Sequence, residues 1–377
     1  MKRGQRGFTL IELMIALVVS SLLVGMILAI FSRMSLAYRG QQQVAGVQQV
    51  LAAARAAIEF DAKQAGLAMP QGFIYNDTFV HQAVSVTNSS TGPDQVAFFY
   101  ADTSAQAAVR VAPAGWSAPF NVDSAAAFAV GNTVVVSTAD LTTAGLNPSD
   151  GNIAKYSACV VQIATIVASP PGDLITFSTT APWSTAYCNP LPVPSATTMV
   201  YKFVARGYRI DTTSAARAAL GPLQQSPNGG LLGAADTWTD LAYGFTDLQT
   251  SLQAYDLGFN NTDSLDLDTD PARDWYSDDV QNTLTLTKAV GASPTLVSPD
   301  GLLQINVSLV ARTERDVEGI ATANTPLLVD PLNPSNNTLG DHAQVALPSA
   351  ADPALKGSRI YRYTTFQVDF RNLGVGR

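Results

Sequence analysis

A run of 24 apolar or small residues, residues 8–31, constrains this chain more than any other stretch, and Glu12 is the only charged residue in it. As a helix the run would be about 36 Å long at about 1.5 Å per residue, which exceeds the ~30 Å thickness of the hydrocarbon core of a bilayer. Lys2, Arg3 and Arg6 precede the run. An excess of lysine and arginine on the short N-terminal side of a membrane segment keeps that side in the cytoplasm. We therefore predict a membrane-spanning helix, with the bulk of the chain on the far side of the membrane.

Two simpler interpretations fit this run less well. A cleaved secretory signal has an apolar core of about 7 to 15 residues followed by a site with small residues, whereas this run is longer and no A-x-A site follows it. A plain signal anchor has the right length and flanks. A plain anchor does not explain Glu12, however, because placing a carboxylate in a lipid-exposed helix costs on the order of 2 to 3 kcal/mol of free energy.

Residues 7–17, Gly-Phe-Thr-Leu-Ile-Glu-Leu-Met-Ile-Ala-Leu, resemble the class III signal of type IV pilins and type II secretion pseudopilins. The resemblance implies that a prepilin peptidase cuts after Gly7 and methylates the new N-terminal amine of Phe8. It also implies that Glu12 faces the free amine of a neighbouring subunit in the filament. An amine and a carboxylate are both charged at neutral pH, and at ~4 Å they attract by about 4 kcal/mol at an effective dielectric constant of ~20.

Several later segments resemble the PilW group of minor pilins. Residues 55–66 end in an aspartate, basic, glutamine, alanine, glycine pattern like the end of the first helix in that group, with Lys63 in place of its usual arginine. Three later segments are looser matches: the pair Asp274 and Trp275, the strand that ends at residues 310–313, and the closing strand with residues 370–373. The resemblance implies a minor pilin of the bacterial inner membrane with a periplasmic globular region, which reaches the pilus filament or its tip after assembly. Its implied partners are the prepilin peptidase and other minor and major pilins.

The helix is predicted to continue well beyond the membrane. Apolar residues recur at steps of three and four, and no proline occurs in residues 8–69. We predict one helix that ends near residue 65, where Gly66 and then Pro70 stand. This gives a leader at residues 1–7 and a transmembrane and amphipathic segment at residues 8–69. The apolar positions in its second half are: Val44, Val47, Leu51, Ala54, Ile58, Ala65.

The remainder of the chain is typical of antiparallel β-structure. Short runs rich in Val, Ile, Phe, Tyr and Thr alternate with Gly, Pro, Asn and Asp, and no amphipathic helices separate them. We predict strands at residues 95–100, 133–136, 160–167, 174–177, 199–210, 303–309 and 364–370. Residues 211–236 are expected to form a loop or linker with a short helix. The fold class is therefore α+β, a long helix packed on β-rich regions at residues 70–236 and 237–377, which also fit a single domain.

Cys159 and Cys188 are the only two cysteines, and both follow the membrane segment. On the predicted topology they lie in an oxidising compartment, where a disulfide is expected. A metal site or a catalytic thiol would need further partners, and neither histidine is close in sequence.

An acidic run contains Asp266, Asp268 and Asp270, whose alternation is typical of calcium loops. Pro271 stands where such a loop needs glycine, however, and no glutamate closes it. We therefore expect a solvated acidic loop, with calcium as the weaker candidate.

Composition and motifs favour a structural role. The formal net charge is −8, which argues against a general nucleic-acid surface because phosphate binding needs clustered Lys and Arg. The sequence lacks the usual hydrolase, zinc-protease and phosphate-loop motifs. We expect a minor pilin that is not an enzyme and has no cofactor, which initiates or supports assembly of a type IV pilus. The alternatives are a minor pseudopilin of a type II secretion system and a tip-located adhesin or binding module.

Overall fold

A computed structural model describes residues 9–69, 72–75, 79–87, 89, 92–137, 158–189, 191, 193–196, 198–230, 232–255, 274–276, 287–289, 301–314, 338–339, 342–343 and 359–370. Its first element is a single helix, α1 (Leu10–Gln64), of 55 residues. At about 1.5 Å per residue this helix is about 80 Å long.

The helix ends at Gln64, close to the predicted end and before residue 69. Gly66 adopts φ +77°, a left-handed conformation that breaks the helix, and Ala68 also has a positive φ. The amide of Gly66 then donates a hydrogen bond of 2.9 Å to the carbonyl of Phe99. The chain therefore leaves the helix by joining the backbone of a strand.

The strands of the β-rich part are β1 (Gly72–Ile74), β2 (Phe79–Gln82), β3 (Val84–Thr87), β4 (Gln95–Val111), β5 (Phe120–Val122), β6 (Thr133–Ser137), β7 (Ala158–Ser169), β8 (Gly172–Phe177), β9 (Met199–Ile210), β10 (Leu223–Ser226), β11 (Thr239–Ala242), β12 (Phe245–Tyr255), β13 (Asp274–Tyr276), β14 (Thr287–Ala289), β15 (Gly301–Arg312), β16 (Thr338–Leu339), β17 (His342–Ala343) and β18 (Tyr361–Asp369). A short helix, α2 (Ala215–Leu220), lies between β9 and β10. Short 3-10 helices occur at Thr185–Cys188 and Gly233–Ala235.

The larger sheet has twelve strands among the described residues, in the order β11-β10-β9-β4-β5-β8-β7-β1-β2-β14, with β3 beside β4 and with β6 between β7 and β9. Its pairs are antiparallel except for β1 and β7, which meet in parallel at Ile74 and Cys159. Strand β10 pairs with both β9 and β11. The expected linker at residues 211–236 is therefore wrong in part, because this segment adds a strand to the sheet; the short helix expected there is present as α2.

The second sheet has the order β13-β12-β15-β18. Strand β15 pairs along its length with β12 and with β18. The predicted alternation is confirmed in β18, where Phe366 and Val368 are buried while Thr365 and Gln367 are exposed. The described residues of β16 and β17 pair separately.

One hydrophobic core joins the second half of α1 to both sheets. Its members include Leu51, Ile58, Val96, Tyr208, Leu248, Val307 and Phe366. Asp94 also connects the sheets, since its amide donates to the carbonyl of Leu248 and its carboxylate accepts from the amide of Thr250, both at 2.8 Å. The boundary predicted at residue 236 remains a prediction, and residues on both sides of it share this core.

Two further clusters lie within the larger sheet. One contains the two cysteines with Trp116, Phe120 and Ile175 and does not include residues of α1. The other is aromatic, with Phe73, Tyr75, Phe99, Trp183 and Phe203 as its largest members. The larger sheet thus has a part that packs on the helix and a part with its own core.

Candidate functional site

The first half of α1 is the most distinctive surface of the molecule. Its large apolar side chains from Leu10 to Met34 are all more than half exposed in the isolated chain. Among the described residues, α1 is the one helix long and apolar enough to cross a membrane, by length and composition. Transfer of this much apolar surface out of water is strongly favourable, so the segment needs a lipid or protein environment.

Glu12 and Thr9 form a capping box at the start of this helix. The Thr9 hydroxyl accepts from the amide of Glu12 at 3.3 Å, while a carboxylate oxygen of Glu12 accepts from the amide of Thr9 at 3.0 Å and from its hydroxyl at 2.8 Å. This reciprocal bonding satisfies amides that the first turn leaves without partners. Gly7 and Phe8 lie outside the described residues. The structure thus places Glu12 exposed in the first turn of the helix that Thr9 caps.

The second half of α1 is amphipathic, as the sequence predicts. Val47, Leu51, Ala54 and Ile58 are buried, whereas Val44 and Val50 are only partly so. Beside this stripe Glu59 accepts from Arg55 at 3.3 Å and from Lys63 at 2.6 Å. Exposed pairs of this kind contribute only about 0.3–0.5 kcal/mol each. Burial of the stripe therefore holds the helix on the sheets.

Asp61 fastens the end of α1 to the larger sheet. This carboxylate is buried and accepts from the Tyr100 hydroxyl at 2.9 Å and from the Tyr208 hydroxyl through a short hydrogen bond. Gln225 donates to the Tyr208 oxygen at 2.9 Å. Burial, with the nearby charge of Asp61, raises the pKa of both tyrosines well above the ordinary value, so both phenols stay protonated donors. We call Asp61, Tyr100, Tyr208 and Gln225 the helix lock.

Removing one hydroxyl from the helix lock should measurably destabilise the fold. Tyr208 is 1% exposed, so Tyr208→Phe keeps the ring but leaves Asp61 without one of its two donors. Because hydrogen bonds to a charged group are worth about 1.5–3 kcal/mol, we expect a loss of about that size in the free energy of unfolding, measured by denaturant titration. The matched control is Tyr243→Phe, since Tyr243 is 55% exposed and also donates to a carboxylate, Asp240. Equal effects of the two substitutions would contradict the helix lock.

On its other side the helix meets the second sheet through Arg55. Its guanidinium lies 5.3 Å from the centre of the Phe366 ring, which is buried in β18. Cation–π contacts of this kind contribute roughly 0.5–1 kcal/mol at exposed sites. The second half of α1 is thus held by the larger sheet through Asp61 and by β18 through Arg55.

The predicted disulfide is present. Cys159 in β7 and Cys188 in the 3-10 helix are bonded, with their Cα atoms 5.7 Å apart, and both are fully buried. The bond lies inside the cluster with Trp116 and Phe120, away from α1. The two cysteines are 29 positions apart in the sequence, and for a loop of this size the chain-entropy model gives about 3.5 kcal/mol of stabilisation.

The other candidate ligands do not form a described site. Asp266, Asp268 and Asp270 lie outside the described residues, so calcium binding there stays a prediction. Within the part of the chain that the structure describes, no group of three or more His, Cys, Asp or Glu side chains could hold a metal ion. His81 is buried beside the rings of Phe73 and Tyr75.

A polar cluster that the sequence did not indicate fixes α2. Arg217 donates to Asp211 at 2.7 Å and to both oxygens of Asp240, one of them at 3.0 Å. Its hydrogen bonds, with those of Gln224, lower the pKa of Asp240 to about 2. The cluster joins α2 to β11 at the protein surface, and its role is structural.

Comparison with known proteins identifies the N-terminal segment. Residues 2–28 match the family model described as the prokaryotic N-terminal methylation motif. No curated protein matches the chain. Among solved structures, the type IV-like pilin TTHA1219 from Thermus thermophilus is 12% identical and aligns over 88% of this chain and 97% of its own, with a TM-score of 0.33. The chain therefore has an N-terminal methylation motif followed by a long helix packed on mainly antiparallel sheets.

Proposed function

We propose that this chain is a minor pilin of the PilW type that co-assembles with other pilins to initiate or support a type IV pilus. The observation that carries the proposal is the continuity of α1. The methylation motif at residues 2–28 runs into one helix whose first half is apolar and exposed and whose second half is packed on the β-rich part. Such a helix supplies both an anchor before assembly and a packing surface after it.

The proposed sequence of events starts in the membrane. Lys2, Arg3 and Arg6 hold the leader in the cytoplasm, and the globular part is exported to the periplasm. A prepilin peptidase then cuts after Gly7 and methylates Phe8. Cleavage removes the three cations and creates a free amine four residues before Glu12 in the sequence, so that the helix can leave the lipid for a bundle of similar helices.

In this proposal Glu12 sets the register between the helices of neighbouring subunits. Its carboxylate caps its own helix through Thr9 in the isolated chain. In a bundle it would face the amine of Phe8 in a neighbouring subunit. Because desolvation offsets part of the attraction, the pair favours one stagger between helices rather than adding much to overall stability.

Two other functions share most of these features. A minor pseudopilin of a type II secretion system would carry the same N-terminal motif and the same helix. An adhesin would use the β-rich part to bind a ligand at the filament tip, and the helix only for attachment. The size of the β-rich part favours a large minor pilin, and the genes that neighbour this one would separate the pilus from the secretion system.

Deletion of the gene separates these functions. We expect the deletion strain to lose most of its surface pili, counted by electron microscopy, and to recover them when the full chain is supplied from a plasmid. Normal pili with impaired export of secreted enzymes would contradict the pilus role and support the pseudopilin. Normal pili with impaired attachment to surfaces would instead support the adhesin.

A further inference from the structure

The stretch of α1 between its apolar first half and the β-rich part carries positive charge only. Arg33, Arg39 and Arg55 are the only charged residues between Glu12 and Glu59, in a chain whose formal net charge is −8. Arg55 pairs with Glu59. Arg33 and Arg39 are exposed, and within the part of the chain that the structure describes neither forms an ion pair. Their guanidinium groups therefore face the surroundings of the helix.

The two arginines lie just beyond the end of the apolar run. At about 1.5 Å per residue along α1, Arg33 is about 3 Å past Phe31 and Arg39 is about 12 Å past it. The headgroup layer outside the hydrocarbon is roughly 5–8 Å thick. Side chains of a helix tilt toward its N-terminus, which is the membrane end of α1, so the long side chain of Arg39 reaches back toward this layer. Both guanidinium groups thus come to the level of the lipid headgroups.

The β-rich part leaves room for lipid around this stretch. Residues 31–39 are all exposed. The first buried residue of α1 is Val47, which is about 24 Å beyond Phe31 along the helix axis. This distance is several times the thickness of the headgroup layer. Lipid headgroups can therefore contact the helix from all sides.

The polar side chains of this stretch surround the helix instead of sharing one face. With 3.6 residues per turn, Arg33, Tyr38 and Arg39 project in directions roughly 100–140° apart around the axis. Tyr38 is 62% exposed, and tyrosine is enriched at the interfaces between membrane and water. A protein docked on one side could contact only part of this set, whereas a headgroup layer encloses the helix and meets all three residues. The arrangement therefore favours a lipid surface over a protein partner.

Guanidinium groups suit the phosphates of phospholipids. Arginine can donate two parallel hydrogen bonds to one phosphate, and bonds between charged groups are stronger than neutral ones. Each cation close to an anionic membrane surface strengthens the association by about fivefold. A zwitterionic headgroup also has a phosphate, but its own cation cancels the net attraction. Anionic phospholipids are thus the best match in charge.

We propose that Arg33 and Arg39 bind the phosphates of anionic phospholipids in the leaflet next to the β-rich part, with Tyr38 at the same level. Because the three cations of the leader are lost on cleavage, these contacts set the depth of the mature helix until it enters a filament. The proposal rests on the membrane-inserted state of the proposed function, and not on assembly into a pilus.

Quenching of a dye by spin-labelled lipids tests the proposal on the full chain. The two native cysteines are bonded to each other, so a cysteine introduced by Ser35→Cys is the only free thiol and takes the dye. The labelled chain is inserted into phosphatidylcholine vesicles that contain a small fraction of either phosphatidylglycerol or phosphatidylcholine with the same spin label. We expect phosphatidylglycerol to associate with this part of the helix severalfold more strongly than phosphatidylcholine. The ratio of the two association constants is the measured quantity.

Charge variants show which residues produce this lipid preference. Arg33→Gln combined with Arg39→Gln should lower the ratio to near one, whereas lysine at both positions should keep most of it. The matched control is Arg55→Gln, which removes the same charge from the same helix about 24 Å beyond Arg39 and should leave the ratio unchanged. Retention of the native disulfide, and of the chain in vesicles after alkaline washing, reports that each variant folds and inserts.

Several results would overturn the proposal. A ratio near one for the chain with both arginines, or an equal ratio in the double glutamine variant, would show that the arginines do not select anionic lipid. An equal loss with Arg55→Gln would show that the preference follows net charge alone. Cross-linking of residue 35 to a second protein that needs the arginines, with no lipid preference, would assign them to that protein.

The same experiment separates this proposal from the proposed function. A chain that alkaline washing removes from the vesicles would contradict the membrane-spanning helix, and with it both proposals. A chain that stays inserted without a lipid preference, in a protein whose deletion removes surface pili, would contradict the lipid contact alone. A clear lipid preference in a protein whose deletion leaves pili normal would support the lipid contact and contradict the pilus role.

Discussion

Substitution of Gly7 by valine should leave the seven-residue leader on the chain and abolish its incorporation into pili. The peptidase proposed here cleaves directly after this residue, where glycine presents no side chain to the enzyme. An uncleaved chain keeps Lys2, Arg3 and Arg6 at the end of the helix. Moving these charges into an apolar bundle would cost several kcal/mol each. Intact mass and N-terminal sequencing measure cleavage, and immunoblots of sheared filaments measure incorporation.

The leader offers its own matched control. Gly4→Val makes the same change three residues earlier, away from the cleavage point, and should be processed normally. Both variants should accumulate in the membrane at similar levels, because the apolar run is unchanged. A mature N-terminus and normal incorporation for Gly7→Val would contradict cleavage directed by Gly7, and no incorporation of the unsubstituted chain would leave a plain membrane anchor.

The elements of this fold could be predicted because their signals are local. The three- and four-residue period of α1 and the absence of proline gave its extent to within a few residues. Strand β9 was predicted with its observed limits, and β4 and β7 were recognised but proved longer. Strand β10 was missed, since the sequence Leu-Gln-Gln-Ser has little β character and forms a strand because β9 and β11 flank it.

The helix lock could not be predicted because its members are distant in sequence. Tyr100 is 39 residues from Asp61, and Tyr208 is 147 residues away. A charged residue near the end of a helix is normally exposed, so no sequence pattern indicates that Asp61 is buried. Its burial follows from the meeting of β4 and β9 against the helix, which is a property of the topology.

Replacement of Glu12 by glutamine should have opposite effects on the two states of the chain. In the membrane the change removes a charge from a lipid-exposed helix, so insertion and cleavage should be normal or slightly improved. In the filament it removes the partner proposed for the amine of Phe8. We expect a loss of about 1.4 kcal/mol or more per contact, which corresponds to about tenfold lower incorporation, measured as the ratio of filament to membrane chain on immunoblots.

The capping box makes glutamine the informative choice at this position. Its side-chain oxygen can still accept from Thr9, so the start of α1 is retained while the charge is lost. Glu59→Gln is the matched control, because it removes a carboxylate from the same helix, in its second half, that pairs with Arg55 and Lys63. Normal incorporation of both variants would show that Glu12 only caps its own helix. Loss with Glu12→Gln alone, in fully cleaved protein, would show that the charge acts between subunits, since neither anchoring nor capping needs it.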